Sequence, residues 1–231
     1  MSLKNNISRK KKDSKRNATH FTVVEAYKMI RTNILFLLSQ TDKKSFIVSS
    51  PNESEGKSTT SINTAIAFSQ LGCRVLLIDT DMRKASVHKK LHIQNENGLS
   101  SVLAGFSTLS ESIHQINPNF DVMTAGSTPP NPSELLASPQ MEKIMDELSK
   151  TYDYIILDAP PINVVSDALI VAPLTAGIAF VVRDYKTTHT EIKKALSSLE
   201  LAGIKPFGMI LNDTKNSFKK GYRYRSYNYY Y

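Results

Sequence analysis

The sequence predicts an α/β fold in which helices flank both faces of a doubly wound, mostly parallel β-sheet. Short apolar runs alternate along the chain with longer segments whose apolar residues recur every three or four positions. Two of the apolar runs end in aspartate, which suits strands whose carboxyl ends meet at one edge of a parallel sheet. There is no internal repeat, so one α/β domain accounts for the central part of the chain.

The first half of the chain begins with a predicted helix, which two predicted strands and a second helix follow. Residues 22–39 carry apolar side chains at spacings of three and four, which predicts an amphipathic helix. The apolar runs 46–48 and 74–79 predict buried strands. Between them, 57–71 predicts a helix that Gly72 ends, because glycine readily adopts the left-handed conformation of a helix C-cap.

The second half continues the alternation after an irregular stretch. Residues 86–118 predict only short helices and loops, and 120–123 predicts a third strand. The proline-rich segment 128–136 predicts a loop that runs into a helix. The remaining predicted elements are helices at 139–150, 166–171 and 189–202 and strands at 154–157, 177–182 and 207–211.

Length and composition limit the classes of protein. The chain has 231 residues, of which 41% are hydrophobic, which is enough for a packed core and argues against wholesale disorder. Its single cysteine, Cys73, excludes an intramolecular disulfide framework and a cysteine-based zinc site. The apolar stretch between Asp167 and Arg183 contains proline and glycine and is shorter than the ~20 residues that span a bilayer. The basic N-terminus lacks the apolar segment of a secretory signal, so we expect a cytoplasmic protein.

Positive charge is concentrated at the two ends of the chain. The net charge is +8, but residues 1–16 carry +6, residues 215–231 carry +5 and residues 17–214 carry −3. We therefore divide the chain into a basic flexible tail (1–20), a folded domain (21–214) and a flexible C-terminal tail (215–231). Such ends are typical of solvated tails, of nucleic-acid-binding segments and of segments attracted to an anionic membrane surface.

The C-terminal tail is also rich in tyrosine. Of the ten tyrosines in the chain, six lie among the last ten residues. They are Tyr222, Tyr224, Tyr227, Tyr229, Tyr230 and Tyr231. Composition alone leaves three interpretations open: a disordered tail, a surface that stacks on nucleic-acid bases, or a cluster of modification sites.

A phosphate-binding loop is the clearest functional motif. The sequence SSPNESEGKSTT, residues 49–60, follows a predicted strand and opens a predicted helix. Gly56 would let the backbone approach a phosphate, Lys57 would reach the β- and γ-phosphates, and the hydroxyl of Ser58 would bind Mg²⁺. A standard P-loop has glycine six residues before the lysine, where this chain has Pro51, so the loop is of a deviant type.

Carboxylates follow two of the predicted strands. LLIDTDMRK, residues 76–84, places Asp79 and Asp81 beside the phosphate site, where two carboxylates suit Mg²⁺ binding and proton acceptance. YIILDAPP, residues 154–161, ends its apolar run at Asp158, which has the Walker B position of a carboxylate that holds Mg²⁺ through a water.

These separated motifs, in this order, resemble the bacterial tyrosine kinases of capsule and exopolysaccharide synthesis, which belong to the deviant P-loop clan. AGSTPPNPSELL (125–136) matches a family hallmark, and EAYKMIRTNI (25–34) is similar to the family's EAYRxLRTNI. NGLSSVLAG (97–105) and GMILND (208–213) also fit the pattern. The resemblance runs from about residue 20 to the C-terminus and includes the tyrosine-rich tail.

The resemblance implies a P-loop NTPase fold and an ATP- and Mg²⁺-dependent kinase that phosphorylates its own tail tyrosines between subunits. By motif position the catalytic residues would be Lys57, Asp79, Asp81 and Asp158. Asp79 would be the base for the tyrosine hydroxyl or a neighbour of Mg²⁺, and Asp81 would support that site. The ATP-binding residues would be Glu55, Gly56, Lys57, Ser58, Thr59 and Arg83, and Mg²⁺ would be bound at Ser58, Asp79 and Asp158. Lys84, next to Arg83, would meet a phosphate or an acidic neighbour.

The resemblance also implies partners. In Gram-positive members the kinase is a separate chain, activated by the cytoplasmic segment of a membrane-embedded adaptor that holds it at the inner face of the plasma membrane. A cognate tyrosine phosphatase and polysaccharide-synthesis enzymes as substrates are expected, and nucleic acid is not. The family assembles homo-oligomeric rings, for example octamers, through an ExxRxxR pattern, which here reads Glu25, Lys28 and Arg31 on the expected oligomerisation helix 21–40.

Three residues depart from the family pattern. Glu53 and Ser54 stand where the family has Pro-Gly. The carboxylate of Glu53 would weaken ATP binding, and a side chain at 54 makes a positive φ less favourable there. On the first helix, Lys28 replaces an arginine and lacks the planar fork that binds a carboxylate through two hydrogen bonds.

Two other functions fit parts of the sequence. One is a deviant P-loop ATPase that acts as a positioning switch at a membrane or nucleoid, but Asn52 stands where the partitioning and division-site ATPases have a signature lysine. The other is a nucleic-acid-binding protein, which the acidic body and the lack of a groove-reading motif disfavour.

Overall fold

A seven-stranded β-sheet forms the centre of the protein in a computed structural model that describes residues 23–214. The strands are β1 (Ser45–Ser49), β2 (Val75–Asp79), β3 (Ile113–Asn117), β4 (Phe120–Met123), β5 (Tyr154–Asp158), β6 (Ile178–Arg183) and β7 (Pro206–Asn212). Their order across the sheet is β3-β4-β2-β5-β1-β6-β7. Neighbouring strands are parallel, except that β3 runs antiparallel to β4. The predicted fold class, a doubly wound and mostly parallel sheet, is confirmed.

Helices connect the strands and cover the sheet. They are α1 (23–38), α2 (Lys57–Ser69), α3 (Val87–Leu91), α4 (Leu99–Leu103), α5 (Leu109–Ser112), α6 (Pro132–Leu136), α7 (Pro139–Thr151), α8 (Asp167–Val171), followed by a 3₁₀ turn (Ala172–Leu174), and α9 (His189–Leu201). No helix within residues 23–214 is long and apolar enough to cross a bilayer. The two predicted tails, 1–20 and 215–231, lie outside the described residues.

The hydrophobic core has two layers, one on each face of the sheet. Successive residues of a strand point to opposite faces, so Ile47 packs in one layer while Phe46 and Val48 pack in the other. Helices α1, α2 and α3 cover one face, and α4, α7, α8 and α9 cover the other. Strands β1 and β2 are buried along their whole length, because both faces are covered.

One element differs from the prediction. The segment 86–118 contains not only short helices and loops but also the edge strand β3. Its sequence, IHQIN, lacks the continuous apolar run of the other strands, and its residues are half-buried or exposed. Antiparallel pairing with β4 stabilises β3, with Ile113 opposite Met123, so a tertiary contact decides its conformation.

The sheet brings the carboxyl ends of its central strands together. Asp79 at the end of β2 lies directly opposite Asp158 at the end of β5. On the other side of β5, Val48 near the end of β1 is also paired with Asp158. The loop that follows β1 therefore opens beside both carboxylates.

Candidate active site

The P-loop joins β1 to α2 and contains two residues with left-handed backbone. Gly56 has φ +94° at the N-terminus of α2. A Cβ at this position would lie 2.1 Å from Nδ2 of Asn212, so only glycine fits. Ser54 has φ +61°. The positive φ that the sequence made unfavourable at this position is therefore present in the loop.

Side chains from the other end of the chain brace the P-loop. The Thr187 hydroxyl donates to Oε1 of Glu55 at 2.6 Å, and Nδ2 of Asn212 donates to the Glu55 carbonyl at 2.9 Å. Glu55 is buried behind the loop and is not among the residues that line the cavity. Burial raises the pKa of its carboxyl, although the hydrogen bond from Thr187 opposes this rise.

The P-loop lysine is held between two carboxylates. Nζ of Lys57 lies 2.9 Å from Oδ2 of Asp81 and 3.8 Å from Oδ2 of Asp158. Burial alone would lower the pKa of Lys57, but the attraction of Asp158 and Asp81 outweighs burial and raises it. Lys57 is therefore a charged ammonium held between two carboxylates.

Asp158 is fully buried against helix α2, beside Lys57 and Ser61. The Ser61 hydroxyl donates to its Oδ1 at 3.0 Å, while Oδ2 has no hydrogen-bond donor among the described residues. Burial raises the pKa of Asp158, an effect that Lys57 opposes. On the same side of the site, the Ser86 hydroxyl donates to the Ser58 hydroxyl at 2.8 Å. Sequence reasoning assigned roles to Asp158 and Ser58 but not to Ser61 or Ser86.

These oxygens fit a magnesium ion that completes its shell elsewhere. Within residues 23–214 no three His, Cys, Asp or Glu side chains are grouped to hold a metal by themselves. Mg²⁺ typically uses one or two protein ligands and takes its other ligands from water and substrate phosphates. Oδ2 of Asp158, which is paired with Lys57 but accepts no hydrogen bond from the described residues, and the Ser58 hydroxyl match this requirement.

Asp79 and Asp81 have different surroundings although only Thr80 separates them in the sequence. Oδ2 of Asp79 accepts the backbone N–H groups of Ser86 and Val87, both at 3.1 Å, and Oδ1 accepts that of Asp81 at 3.1 Å. Burial, with a smaller contribution from Asp158, raises the pKa of Asp79 to about 7. Asp81 lines the cavity, and Asp79 is not among the lining residues. Asp79 thus shapes the backbone of this wall, and Asp81 presents a carboxylate to the cavity.

The two cations that follow Asp81 are both paired. Nε of Arg83 lies 2.9 Å from Oδ2 of Asp167, and Nζ of Lys84 lies 2.7 Å from Oε1 of Glu53. The Ser133 hydroxyl donates to Oδ1 of Asp167 at 2.6 Å and so joins the proline-rich loop to this pair. Ser133 lies in the hallmark segment 125–136 but received no role from the sequence, and no motif identified Asp167.

A cavity of about 380 Å³ opens between the P-loop and the segment after β2. Its polar wall contains Gly56, Lys57, Ser58, Thr59, Asp81, Arg83, Lys84, Ser86 and Lys90, with Glu53 and Ser54 at the P-loop side. Its apolar wall is formed by Pro160, Pro161, Val164 and Val165, which follow β5. A polar floor beside an apolar wall suits a substrate that is part phosphate and part ring.

The residues expected to form oligomers make contacts within the chain. Nζ of Lys28 lies 2.8 Å from Oε1 of Glu25, and both side chains are exposed. Nη1 of Arg31 donates to the Ala67 carbonyl of α2 at 2.7 Å. Arg31 therefore also fastens α1 to the domain. The six tail tyrosines lie outside the described residues.

Comparisons with known proteins agree with this arrangement. A family model described as an AAA domain matches residues 45–185. A putative tyrosine-protein kinase CapB of Staphylococcus aureus is 40% identical over 91% of this chain and 90% of its own length. Tyrosine-protein kinase YwqD of Bacillus subtilis is 40% identical over 87% of this chain and 85% of its own length. Tyrosine-protein kinase Wzc of Salmonella typhi is 36% identical over 90% of this chain, which corresponds to 28% of the longer relative.

Solved structures give the same picture. The kinase domain of the Escherichia coli tyrosine kinase ETK is 32% identical, with a TM-score of 0.78 over 86% of this chain and 80% of that domain. The chimerical protein CapA2B2 is 36% identical, with a TM-score of 0.77 over 80% of this chain and 82% of its own. The septum site-determining protein MinD of Pyrococcus horikoshii, solved with Mg-ADP, is 24% identical with a TM-score of 0.61 over 73% of this chain and 69% of its own, and shares the fold.

Proposed function

The chain belongs to the family of bacterial tyrosine-protein kinases of capsule and exopolysaccharide synthesis, and on this premise we propose that it transfers the γ-phosphoryl group of ATP to protein tyrosines. The observation that carries the proposal is the position of Lys57, charged and held by Asp81 and Asp158 on the floor of a cavity with an apolar wall. A positioning switch needs the phosphate site alone. A kinase also needs room beside it for an aromatic acceptor, which the wall of Pro160 and Val164 offers.

The residues divide the work of the transfer. Lys57 and the first N–H groups of α2 would bind the phosphates of ATP, while Ser58 and Asp158 would hold Mg²⁺, with Asp79 behind them. When bound, Mg²⁺ neutralises charge that develops on the phosphates. Asp81 loses its contact with Lys57 as the lysine turns to the phosphates, so its carboxylate becomes available to accept the proton of the tyrosine hydroxyl. The tyrosine oxygen then bonds to the γ-phosphorus as the bond to ADP breaks.

The acceptors are the six tyrosines of the C-terminal tail, phosphorylated between subunits. A serial cluster of tyrosines with five Lys or Arg and no acid in 215–231 supports this assignment. Each phosphate adds about −1.5 to −2 charges, so a few phosphates reverse the sign of the tail. A cognate phosphatase resets the tail, and enzymes of polysaccharide synthesis are further substrates.

Assembly and activation complete the proposal. A membrane adaptor activates the kinase through its cytoplasmic segment and holds it at the inner face of the membrane. Subunits associate through α1, where the exposed pair Glu25–Lys28 is available to a neighbour. Light scattering with the adaptor segment present tests this step: the chain should form an oligomer that the charge reversal Glu25→Lys weakens, and monomer alone would contradict it.

Intact mass after incubation with Mg²⁺ and ATP tests the kinase assignment. Stepwise gains of about 80 Da, located in the tail peptide and increased by the adaptor segment, are expected. Two controls are Lys57→Met, which should show no gain, and a chain with all six tail tyrosines changed to phenylalanine. ATP hydrolysis without any gain in mass would instead support the switch ATPase.

A further inference from the structure

Arg83 and Lys84 are consecutive cations on the cavity wall, but their partners differ in burial. Arg83 pairs with Asp167, which is fully buried, and its Nη2 also donates to the Ser133 hydroxyl at 2.8 Å. Lys84 pairs with Glu53 across the mouth of the cavity. The Lys84 and Glu53 side chains are 69% and 47% exposed.

The difference in burial decides which cation can change its partner. Removing Arg83 from Asp167 would leave a buried carboxylate with the Ser133 hydroxyl and no cation to compensate its charge, which is strongly unfavourable. Separating Lys84 from Glu53 requires little free energy, because water solvates both groups when they separate. The backbone N–H of Lys84 donates to Oδ1 of Asp81 at 2.9 Å, so the residue stays next to the site while its side chain moves.

We propose that Lys84, and not Arg83, is the second cation that binds the phosphates of the nucleotide, and that Glu53 holds it at the cavity mouth until the nucleotide arrives. The inference rests on the proposed function, in which this cavity binds ATP. Glu53, Lys84 and Lys57 line the same cavity, so a polyphosphate there competes directly with the Glu53 carboxylate for the Lys84 ammonium. The polyphosphate carries more charge than one carboxylate and is the stronger partner.

This arrangement changes the expected role of Glu53. In the free chain its charge is already paired with Lys84, so it does not simply repel phosphate. Its main effect on affinity is the competition for Lys84, so most of that effect should be lost when Lys84 is absent and only the screened repulsion between Glu53 and phosphate remains. Glu53 and Lys84 are therefore coupled in nucleotide binding, which a double-mutant cycle measures.

The experiment is a titration of the full chain with a fluorescent ADP and Mg²⁺, without phosphoryl transfer. At low salt, Glu53→Gln should bind about threefold tighter and Lys84→Met about tenfold weaker, with both effects reduced at high salt because the groups are exposed. In the Lys84→Met background, Glu53→Gln should give only a small residual gain, well below threefold, from the lost repulsion. Lys90→Met is the matched control, since Lys90 lines the same cavity: in that background Glu53→Gln should keep its gain.

Thermal unfolding separates Lys84 from Arg83. Arg83→Gln should lower the melting temperature because Asp167 loses its partner, and Lys84→Met should leave it nearly unchanged. The inference is overturned if Glu53→Gln tightens binding equally in the Lys84→Met background, or if Lys84→Met binds like the wild type. A wild-type chain that binds no nucleotide would overturn both this inference and the proposed function.

Discussion

The two walls that enclose the phosphate site are held in different ways. The P-loop wall, residues 50–57, is braced by distant side chains: Thr187 on Glu55 and Asn212 on the Glu55 carbonyl. The carboxylate wall, residues 79–87, is braced from within, because one side chain, Asp79, accepts three backbone N–H groups of the same segment.

The difference predicts how each wall responds to substitution. In the carboxylate wall one buried carboxylate accepts all three hydrogen bonds, so its loss leaves several buried N–H groups without a partner at once. Bracing by separate distant contacts is distributed, so each change has a smaller effect. A distributed brace also tolerates Ser54, whose left-handed conformation is held by the surrounding contacts, including the hydrogen bond from Nη1 of Arg183 to its carbonyl.

Replacing Asp79 by asparagine should give the largest change. The amide has only one acceptor oxygen, so at least one buried N–H of the carboxylate wall loses its partner, at an expected loss of about 2–3 kcal/mol. Urea unfolding near pH 4 measures this loss, because wild-type Asp79, whose pKa is raised to about 7, is neutral there in the folded chain, as asparagine is. Asp153→Asn is the matched control, because Asp153 also accepts a backbone N–H, that of Arg74, but at an exposed position. Equal losses in the two variants would show that the carboxylate wall does not depend on Asp79.

Glu55 is the buried carboxyl of the P-loop wall. Replacing it by glutamine should change how the stability of the protein depends on pH. Burial raises the pKa of Glu55 in the folded chain, so the folded state favours the protonated form. This preference gives its full stabilisation at pH values below the ordinary pKa of glutamate. The stabilisation is lost as the pH rises through the pKa that Glu55 has in the folded chain. Glutamine cannot ionise, so the stability of the variant relative to wild type should increase as the pH rises from below the ordinary pKa of glutamate towards neutral.

The same measurement tests the brace on Glu55. Thr187→Val removes a hydrogen bond that lowers the pKa of Glu55, so it should steepen the decline of stability with pH. In the Glu55→Gln background the Thr187→Val change should leave the pH dependence flat. Parallel pH curves for wild type and Glu55→Gln would mean that the folded chain does not shift this carboxyl.

The carboxylate wall was largely predictable from sequence, and the supports of the P-loop wall were not. Asp79, Asp81 and Asp158 follow apolar runs, and parallel strands end at one edge of a sheet, so their meeting follows from local patterns. The contact of Asn212 with Glu55 joins residues 157 positions apart. No local pattern states which strand will lie beside the P-loop, so such a partner appears only in the folded chain.

The same distinction applies to the strands: those with a clear local pattern were predicted, and the one that depends on pairing with its neighbour was not. Strands with continuous apolar runs were predicted, because burial on both faces leaves a clear signature in β1 and β2. The edge strand β3 was missed, because its pairing with β4 rather than its composition makes it a strand. The different roles of Arg83 and Lys84 could not be predicted from the sequence either. Only the burial of Asp167, the partner of Arg83, distinguishes the two cations.

Substitutions at Ser54 should have the smallest effects on the free energy of unfolding. They test whether the P-loop wall holds residue 54 in a strained backbone conformation. A non-glycine residue in left-handed conformation costs ~1 kcal/mol, but glycine loses a similar amount through the entropy of the unfolded chain. Ser54→Gly should therefore change the free energy of unfolding by less than about 0.5 kcal/mol. Ser54→Val should lower it by about 1 kcal/mol, because a β-branched side chain is least compatible with φ +61°.

Ser54→Ala separates the backbone from the hydroxyl. Alanine has the same left-handed penalty as serine without the hydroxyl, so it should match wild type in urea unfolding. If valine is as stable as glycine at this position, the loop relaxes away from positive φ, and the distant contacts do not hold the P-loop wall under strain. If valine alone is destabilised and also binds ADP more weakly, those contacts maintain the strained conformation and the phosphate site depends on it.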